Sequence, residues 1–447
     1  MREMTRLRET LDGELLMEGD VGYDDARRPA GAPHRDVHPL AVIRCRSVDD
    51  VVRSVRAAAE VGAHLAPRGG GHCFIGSSST DGVVLDMSGL AGIEVAHDGT
   101  AAIGAGARLG GVYSALQAHG RTLPAGCGRT VGIAGLTLGG GIGLLGRAHG
   151  LTCDSLVSAV VVLPGGRVVQ CDETHEPELF WALRGAGGGR FGVIASLVFS
   201  TLAEPEAIPI DIELPEADLP ALVVAWQVRA PDAPPGLTVD LTVESSPAGV
   251  TARLFGASLL PASDTFEHLR TLLATAGCAD VRESPLAAPA RFHRLKQSLA
   301  ERDADDGSAV RIRSEFFATR MSHGLIVDLL DALAHPSQTS RRLTFTAMGG
   351  AYDRTPPEAT AFAHRGQRFL LEHVGDVGDD DWIDDSWSIA HAEGSGRVYP
   401  NFPDAALADP ATAYHAQNAE RIAEAEAAYD PHGLFRSPTP DTPKERS

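Results

Sequence analysis

The sequence predicts a two-domain α+β protein, and three observations carry that expectation. The chain of 447 residues exceeds what one hydrophobic core usually serves, and its 43% of apolar residues is enough to fill two. The first part runs strand, helix, strand and is dense in glycine. Beyond Glu204-Pro205 the glycines thin out, and alternating strands appear between amphipathic helices. The expected units are residues 1–203, with a core at 37–203, and residues 204–394.

Taken in order, the first forty residues are polar and rich in Arg and Asp, with Pro29, Pro33 and Pro39 opposing a long helix; they read as a lead-in that wraps the first domain. Residues 41–45 are a short strand candidate. Ser47 stands three residues before Asp50, as in a capping box, and opens a helix over 51–61. A strand at Leu65-Ala66 leads into a glycine loop, with further strands at 83–87 and 101–105. The helix expected at 109–119 clusters Val112, Ala115 and Leu116 and carries Tyr113 as a partly buried ring.

Residues 126–154 are again glycine-dense, but their fillers are Val131, Ile133, Leu136, Leu138, Ile142, Leu144 and Leu145 rather than the serines of a flexible linker. Such a backbone can approach a flat ligand closely. Residues 156–163 and 167–171 flank Pro164-Gly165-Gly166 as a hairpin, and 178–184 is a short helix closed by Gly185. In the second part 237–243 and 310–316 read as strands, 264–275 and 323–334 as helices. Arg311, Arg313 and Glu315 share one strand face and are expected to be solvated. The acidic run 376–385 lacks the ligand register and turn glycine of a calcium loop, so a solvated surface loop is expected there.

A net charge of −20 opposes binding to nucleic acid or an anionic membrane through bulk electrostatics. No apolar run approaches a membrane span, and the charged start Met1-Arg2-Glu3-Met4 has no apolar segment of a signal peptide, so cytoplasmic residence is the expectation. Cys45, Cys73, Cys127, Cys153, Cys171 and Cys278 are sparse and lack metal-ligand spacing; reduced thiols and no metal are expected.

The stretch Pro67-Arg68-Gly69-Gly70-Gly71-His72-Cys73-Phe74 organises the first domain. Three consecutive glycines let backbone N–H groups converge into a concave nest, and Arg68 adds positive charge at its edge: a cradle for a pyrophosphate. It is neither a P-loop nor a Gly-x-Gly-x-x-Gly turn. His72, at the end of the loop, has three available roles: pairing with phosphate, acting as a base, or attacking an electrophilic carbon of a bound cofactor.

Arg68-Gly69-Gly70-Gly71-His72, followed by Thr130-Val131-Gly132-Ile133-Ala134-Gly135-Leu136 and Gly139-Gly140-Gly141-Ile142-Gly143, resembles the berberine-bridge-enzyme-like FAD-linked oxidases of the p-cresol methylhydroxylase-type superfamily. The resemblance implies that FAD is the cofactor and that His72 carries it covalently. Arg68, Gly69, Gly70, Gly71, Thr130, Val131, Gly132, Gly135, Leu136, Gly141 and Gly143 are then cofactor contacts. In the family a cysteine in Cys-Pro-x-Val-Gly can form a second bond to the flavin. Here Gly128 stands at that place and Cys127 one residue earlier, so a single His72 link is expected, with a one-residue bulge as the route for Cys127.

Gly187-Gly188-Gly189-Arg190-Phe191-Gly192 also resembles the family, which usually has Asn where Arg190 stands; backbone contacts from Val193 and Ile194 to the flavin are implied. Thr360 to Arg365 echoes a stretch near the substrate side. Tyr399-Pro400-Asn401 matches the family's Tyr-x-Asn, which contacts flavin or substrate, with Phe402 in place of a second tyrosine. A helix over 414–428 carries Glu426 where lysine is usual, expected to be a surface change. Residues 395–440 are thereby implied to return to the FAD-binding domain, with 441–447 as a disordered tail.

In a flavin oxidase the cofactor carries the redox chemistry while protein groups orient and tune it. Tyr399 is the expected base, its phenol lowered by a neighbouring cation such as an arginine. The implied activity is oxidation of an alcohol on a sugar or secondary metabolite, with hydride passing to flavin N5 and oxygen returning as hydrogen peroxide. A dehydrogenase using another acceptor, and a flavin-binding protein without catalysis, stand as the alternatives.

Overall fold

The structure is a computed structural model and describes residues 2–30, 36–214, 218–278, 288–302 and 310–435. Pro33 and the expected disordered tail lie outside the described residues. Ala41–Arg44, Leu65–Arg68 and Val83–Asp86 are short and mostly apolar, and Val42 and Ala66 pair in parallel with Val84 from its two sides. Strands buried on both faces suit parallel pairing. Glu14–Leu16 adds an antiparallel edge. The crossover is the helix Val48–Glu60, which buries Val51, Val55 and Ala58. Ser47 caps it by accepting the Asp50 N–H at 3.1 Å. The reciprocal half of the capping box is absent, because the Asp50 carboxylate instead takes the N–H groups of Asp12 and Arg46, both at 2.8 Å.

A second, antiparallel sheet of Ile93–Val95, Thr100–Gly104, Val193–Ser200, Leu156–Val162 and Val168–Cys171 follows, in that spatial order. One core lies beneath both sheets, and Ile422, Ala425, Leu434 and Phe435 from the far end of the chain pack into it.

Among the described residues the third sheet has seven antiparallel strands: Ala290–Arg291, Glu206–Leu214, Gly249–Ser258, Leu237–Ser246, Arg341–Ala347, Phe369–Asp376 and Val310–Phe317. Side chains alternate across a strand. Val239, Leu241, Val243, Leu343, Phe345 and Leu371 face a second core closed by the helices Leu219–Arg229, Ala262–Thr275, His323–Ala334 and Asp380–His391. The opposite, polar face meets the first half of the chain across a deep cleft.

Three expectations are corrected here. The acidic run 376–385 ends a strand and starts the helix Asp380–His391, whose Trp382, Ile383, Ser386 and Ala390 are buried at helical spacing. Arginines absorb its charge: Asp379 pairs with Arg341, and Asp384 with Arg311 and Arg313. Arg313 and Glu315 are accordingly buried rather than solvated, Arg313 against Asp404 at 2.7 Å and Glu315 against His391 at 2.9 Å. The helix expected over 414–428 is two, Pro410–His415 and Ala419–Tyr429, broken at Ala416, which takes φ +51°.

The two halves are pinned to each other by buried arginines. The buried Arg147 guanidinium donates to the carbonyls of Pro231, Ala233, Leu237 and Met348. Arg365 binds Asp154 through both oxygens, at 2.7 and 2.8 Å. Such bidentate pairs fix orientation as well as distance.

Candidate active site

The cleft encloses about 1380 Å³, above the roughly 300–1,000 Å³ of typical small-ligand sites. One wall is glycine. Gly69, Gly70, Gly71, His72, Val131, Gly132, Gly135, Leu136, Gly143 and Ile194 line it, as do Cys127, Tyr399 and Asn401. The two glycine motifs meet there: a Cβ on Gly70 would fall 2.3 Å from the Gly132 nitrogen, and one on Gly132 2.4 Å from the Gly70 nitrogen. No side chain fits at either position, so the backbones form one continuous surface. Gly71, at φ +74°, turns the loop ahead of His72.

Four expected contacts do not line the cleft. Arg68 is buried and fastens the loop instead, donating to the carbonyls of Ser78, Ala26 and Arg27 at 2.8–2.9 Å; desolvation pushes its pKa down to about 10. Thr130 is exposed, and Val193 points into the core because Ile194, the next residue of the strand, takes the cleft side. Gly141 lies behind the wall, where a Cβ would fall 2.3 Å from Thr152 Oγ1.

Tyr399 is buried, and its hydroxyl accepts the N–H groups of Gly141 at 3.2 Å and Ile142 at 3.0 Å and the Asn401 amide at 3.0 Å. Asn401 also donates to the Leu136 carbonyl at 2.9 Å. The expectation of a lowered phenol is corrected: burial pushes it up to about 12, against the pull of those three donors. Tyr399 and Asn401 thus tie the C-terminal return to the glycine wall. Phe402 packs edge-on against Tyr399 and Phe74. Glu426 is no surface change, since it forms an ion pair with Arg190 and is only 18% exposed: the two departures from the family pattern face each other.

The opposite wall is the polar sheet face, where Asp240, Thr242, Glu244, Arg342, Thr344, Thr346 and Glu372 project. Sequence reasoning missed all of them. Asp240 is 5% exposed and accepts the Ala347 N–H at 2.9 Å. Burial pushes its carboxyl up to about 7, opposed by the Ala347 N–H and Arg147. Glu372 is half-buried and lines the cleft; desolvation, helped by Asp240 and opposed by Arg342 and Thr346, raises its carboxyl to about 7. Two carboxyls near neutrality, one opposing the ionisation of the other, are an acid–base device. Lys296 was missed as well. Its ammonium, beneath the wall near Cys127, donates to the Ala125 carbonyl at 2.7 Å and to Tyr113, and burial pushes it down to about 7.

The stability consequence has a definite sign. Asp240 titrates near 7 in the fold and 3.8 as a free side chain, so its contribution is fully present below pH 3.8 and is lost as pH rises through 7. Asp240→Asn is therefore expected to exceed the parent's thermal stability at pH 8, by an amount on the order of a few kcal/mol, and to lose that advantage below pH 4. Melting curves at the two pH values check it; an unchanged difference means that Asp240 does not titrate on folding.

Among the described residues no group of His, Cys, Asp and Glu is arranged to hold a metal, and no helix is long and apolar enough to cross a membrane. The glycine wall, where two motifs meet with no room for a Cβ at Gly70 or Gly132, fits a large flat cofactor.

Comparison with known proteins agrees with that fit. Residues 39–172 match the FAD binding domain family. The FAD-linked oxidoreductase YgaK of Bacillus subtilis is 29% identical over 98% of this chain and 98% of its own length. The chitooligosaccharide oxidase of Gibberella zeae is 29% identical over 91% and 88%. Among solved structures, a chitooligosaccharide oxidase superposes with a TM-score of 0.86 at 24% identity, covering 99% of this chain and 100% of that one. A berberine bridge enzyme reaches 0.89 at 19%, with 98% of each chain covered. Residues 39–172 are thus a FAD binding domain and FAD is the cofactor of this enzyme, whose fold is that of the berberine bridge enzyme and chitooligosaccharide oxidase structures.

Proposed function

We propose that this FAD-linked oxidoreductase is an oxidase of an alcohol on a sugar or secondary metabolite, with FAD held covalently by His72. The carrying observation is the pairing of walls: a glycine surface ending in His72 faces a sheet that presents hydroxyls and two carboxyls near neutrality. When bound, FAD supplies the acceptor for hydride, at N5, and passes the electrons to oxygen to give hydrogen peroxide. Every other task falls to the chain. Gly69, Gly70, Gly71, Val131, Gly132, Gly135, Leu136, Gly143 and Ile194 pack against the cofactor. Glu372, as carboxylate, takes the proton of the substrate hydroxyl. Burial keeps that proton affinity near neutrality, helped by Asp240, which repels a second negative charge. Thr242, Thr344 and Thr346 offer both donors and acceptors to a polyol. Tyr399 and Asn401 hold the backbone at 136–142 in place rather than moving protons.

A chitooligosaccharide oxidase and, at 37% identity over 39% of this chain, the glucooligosaccharide oxidase of Sarocladium strictum stand among the relatives, which supports the sugar class. The test presents oligosaccharides and phenolic alcohols anaerobically, follows bleaching of the flavin, then admits air. Fast return of colour with stoichiometric peroxide is expected. Colour that stays bleached in air but returns with an artificial acceptor makes the protein a dehydrogenase.

A further inference from the structure

Arg190, His415 and Glu426 form a cluster on the cleft wall that none of the roles above uses. They come from separate elements: the loop after Gly189, the helix Pro410–His415 and the helix Ala419–Tyr429. Glu426 pairs with Arg190 Nε, and Arg190 Nη1 donates to the Ala186 carbonyl at 3.1 Å and to His415 Nε2 at 2.7 Å. A guanidinium only donates, so Nε2 is the accepting nitrogen and the ring proton of the neutral imidazole sits on Nδ1. Burial, with Arg190 beside it, holds the ring far below its usual pKa, at about 3, so the imidazole stays neutral.

The arrangement leaves one donor over. His415 is 3% exposed and lines the cleft, but its Nδ1 is buried away from it, with the Tyr414 backbone beside it, so the ring serves as the acceptor that holds Arg190 Nη1. Arg190 also lines the cleft, with Nε and Nη1 engaged and Nη2 bonded to nothing among the described residues. The residue after His415, Ala416, sits at φ +51°, a costly conformation for a side chain with Cβ and one that persists where the surroundings enforce it. Arg253 and Arg342, the other guanidiniums in the cleft, stand on the seven-stranded sheet. With Arg68 spent on carbonyls, Arg190 is the arginine on the glycine side.

Resting on FAD as the cofactor, we propose that Arg190 is a FAD-binding residue that presents Nη2 to acceptor oxygens of the cofactor, with Glu426 and His415 positioning the guanidinium. FAD offers two kinds of acceptor, pyrophosphate oxygens and the carbonyls of the flavin ring, and the experiment separates them. In a His72→Ala parent, from which flavin exchanges, dissociation constants for FAD and riboflavin are measured by fluorescence quenching. Arg190→Gln is expected to weaken FAD about ten- to one-hundredfold, the worth of a hydrogen bond to a charged group. His415→Phe, which removes the acceptor that holds Arg190 Nη1, is expected to weaken it about three- to tenfold, the worth of a neutral hydrogen bond.

If the partner is the pyrophosphate, riboflavin binding is untouched. If it is the ring, riboflavin weakens in parallel and Arg190→Gln in the His72-containing enzyme lowers the flavin midpoint potential. Glu426→Gln shifts the same ligand by a smaller factor, a selectivity that a merely structural role would not produce. Arg190→Lys, which keeps the charge and loses the fork, replaces Arg190→Gln should that variant fail to fold. Constants within about twofold of the parent for both ligands, in variants with the parent's circular dichroism, overturn the inference. A parent that takes up no FAD overturns the cofactor assignment beneath it.

Discussion

His72→Ala is expected to abolish the flavin adduct on the denatured polypeptide, an all-or-none change read by intact-mass spectrometry after acid precipitation. The wild-type pellet should stay coloured and carry one FAD; the variant's flavin should pass entirely into the supernatant. His72 ends a loop whose neighbouring glycines line the cleft and whose backbone is locked against the second glycine motif, so the imidazole sits on the cofactor wall. Arg68 keeps the loop there without contacting the ligand, which makes Arg68→Ala a loss of loop geometry rather than of charge. Cys127→Ala is the companion measurement, because Cys127 lines the same wall. Its adduct is expected to survive with an unchanged visible spectrum. A glucooligosaccharide oxidase structure is titled for a 6-S-cysteinyl, 8α-N1-histidyl FAD, and a spectral change in Cys127→Ala would assign that second bond here. Full retention of flavin by His72→Ala would refute attachment at His72.

The parts of this molecule legible in the sequence are those where local chemistry and tertiary role coincide. The strands at 41–44 and 83–86 are buried on both faces, so an apolar run suffices to find them. The glycine motifs are legible because close backbone approach demands glycine itself, as Gly70 and Gly132 show against each other. The rest depends on partners remote in sequence. Arg68 looked like an anion receptor because nothing local says that the carbonyls of Ala26 and Arg27 will consume it. The acidic segment 376–385 looked solvated because Arg311, Arg313 and Arg341, which neutralise it, lie 38 to 73 residues away. Asp240, Thr242 and Glu244 alternate with Val239, Leu241 and Val243, a pattern that ordinarily means polar side to water. Only the assembled fold turns that side onto an internal cleft, where the Asp240 carboxyl loses its hydration and titrates near neutrality.

Glu372→Gln is expected to slow flavin reduction by substrate about 10²- to 10⁴-fold, the usual worth of a positioned general base, and to erase one limb of the pH profile. The sign follows from the group's state. With its carboxyl raised to about 7 by burial, Glu372 is protonated below that pH and cannot accept a proton. The rate constant for reduction should therefore rise as pH passes through 7 and level off above it. The glutamine variant should be slow and flat over the same range. Asp240→Asn supplies the second axis, because Asp240 is one of the causes that raise Glu372. Removing its charge lowers the proton affinity of Glu372, and the rising limb should move toward acid while the plateau persists. Tyr399→Phe is the discriminating control. Its phenol is raised to about 12 and accepts three N–H bonds, so its loss should disturb the backbone at Gly141 and Ile142 without displacing the limb near pH 7. Stopped-flow reduction of the four proteins between pH 5 and 9 decides the matter. A limb that stays in Glu372→Gln and vanishes in Tyr399→Phe returns the base to the phenol, and then the three donors converging on its oxygen would have to outweigh the desolvation that opposes its ionisation.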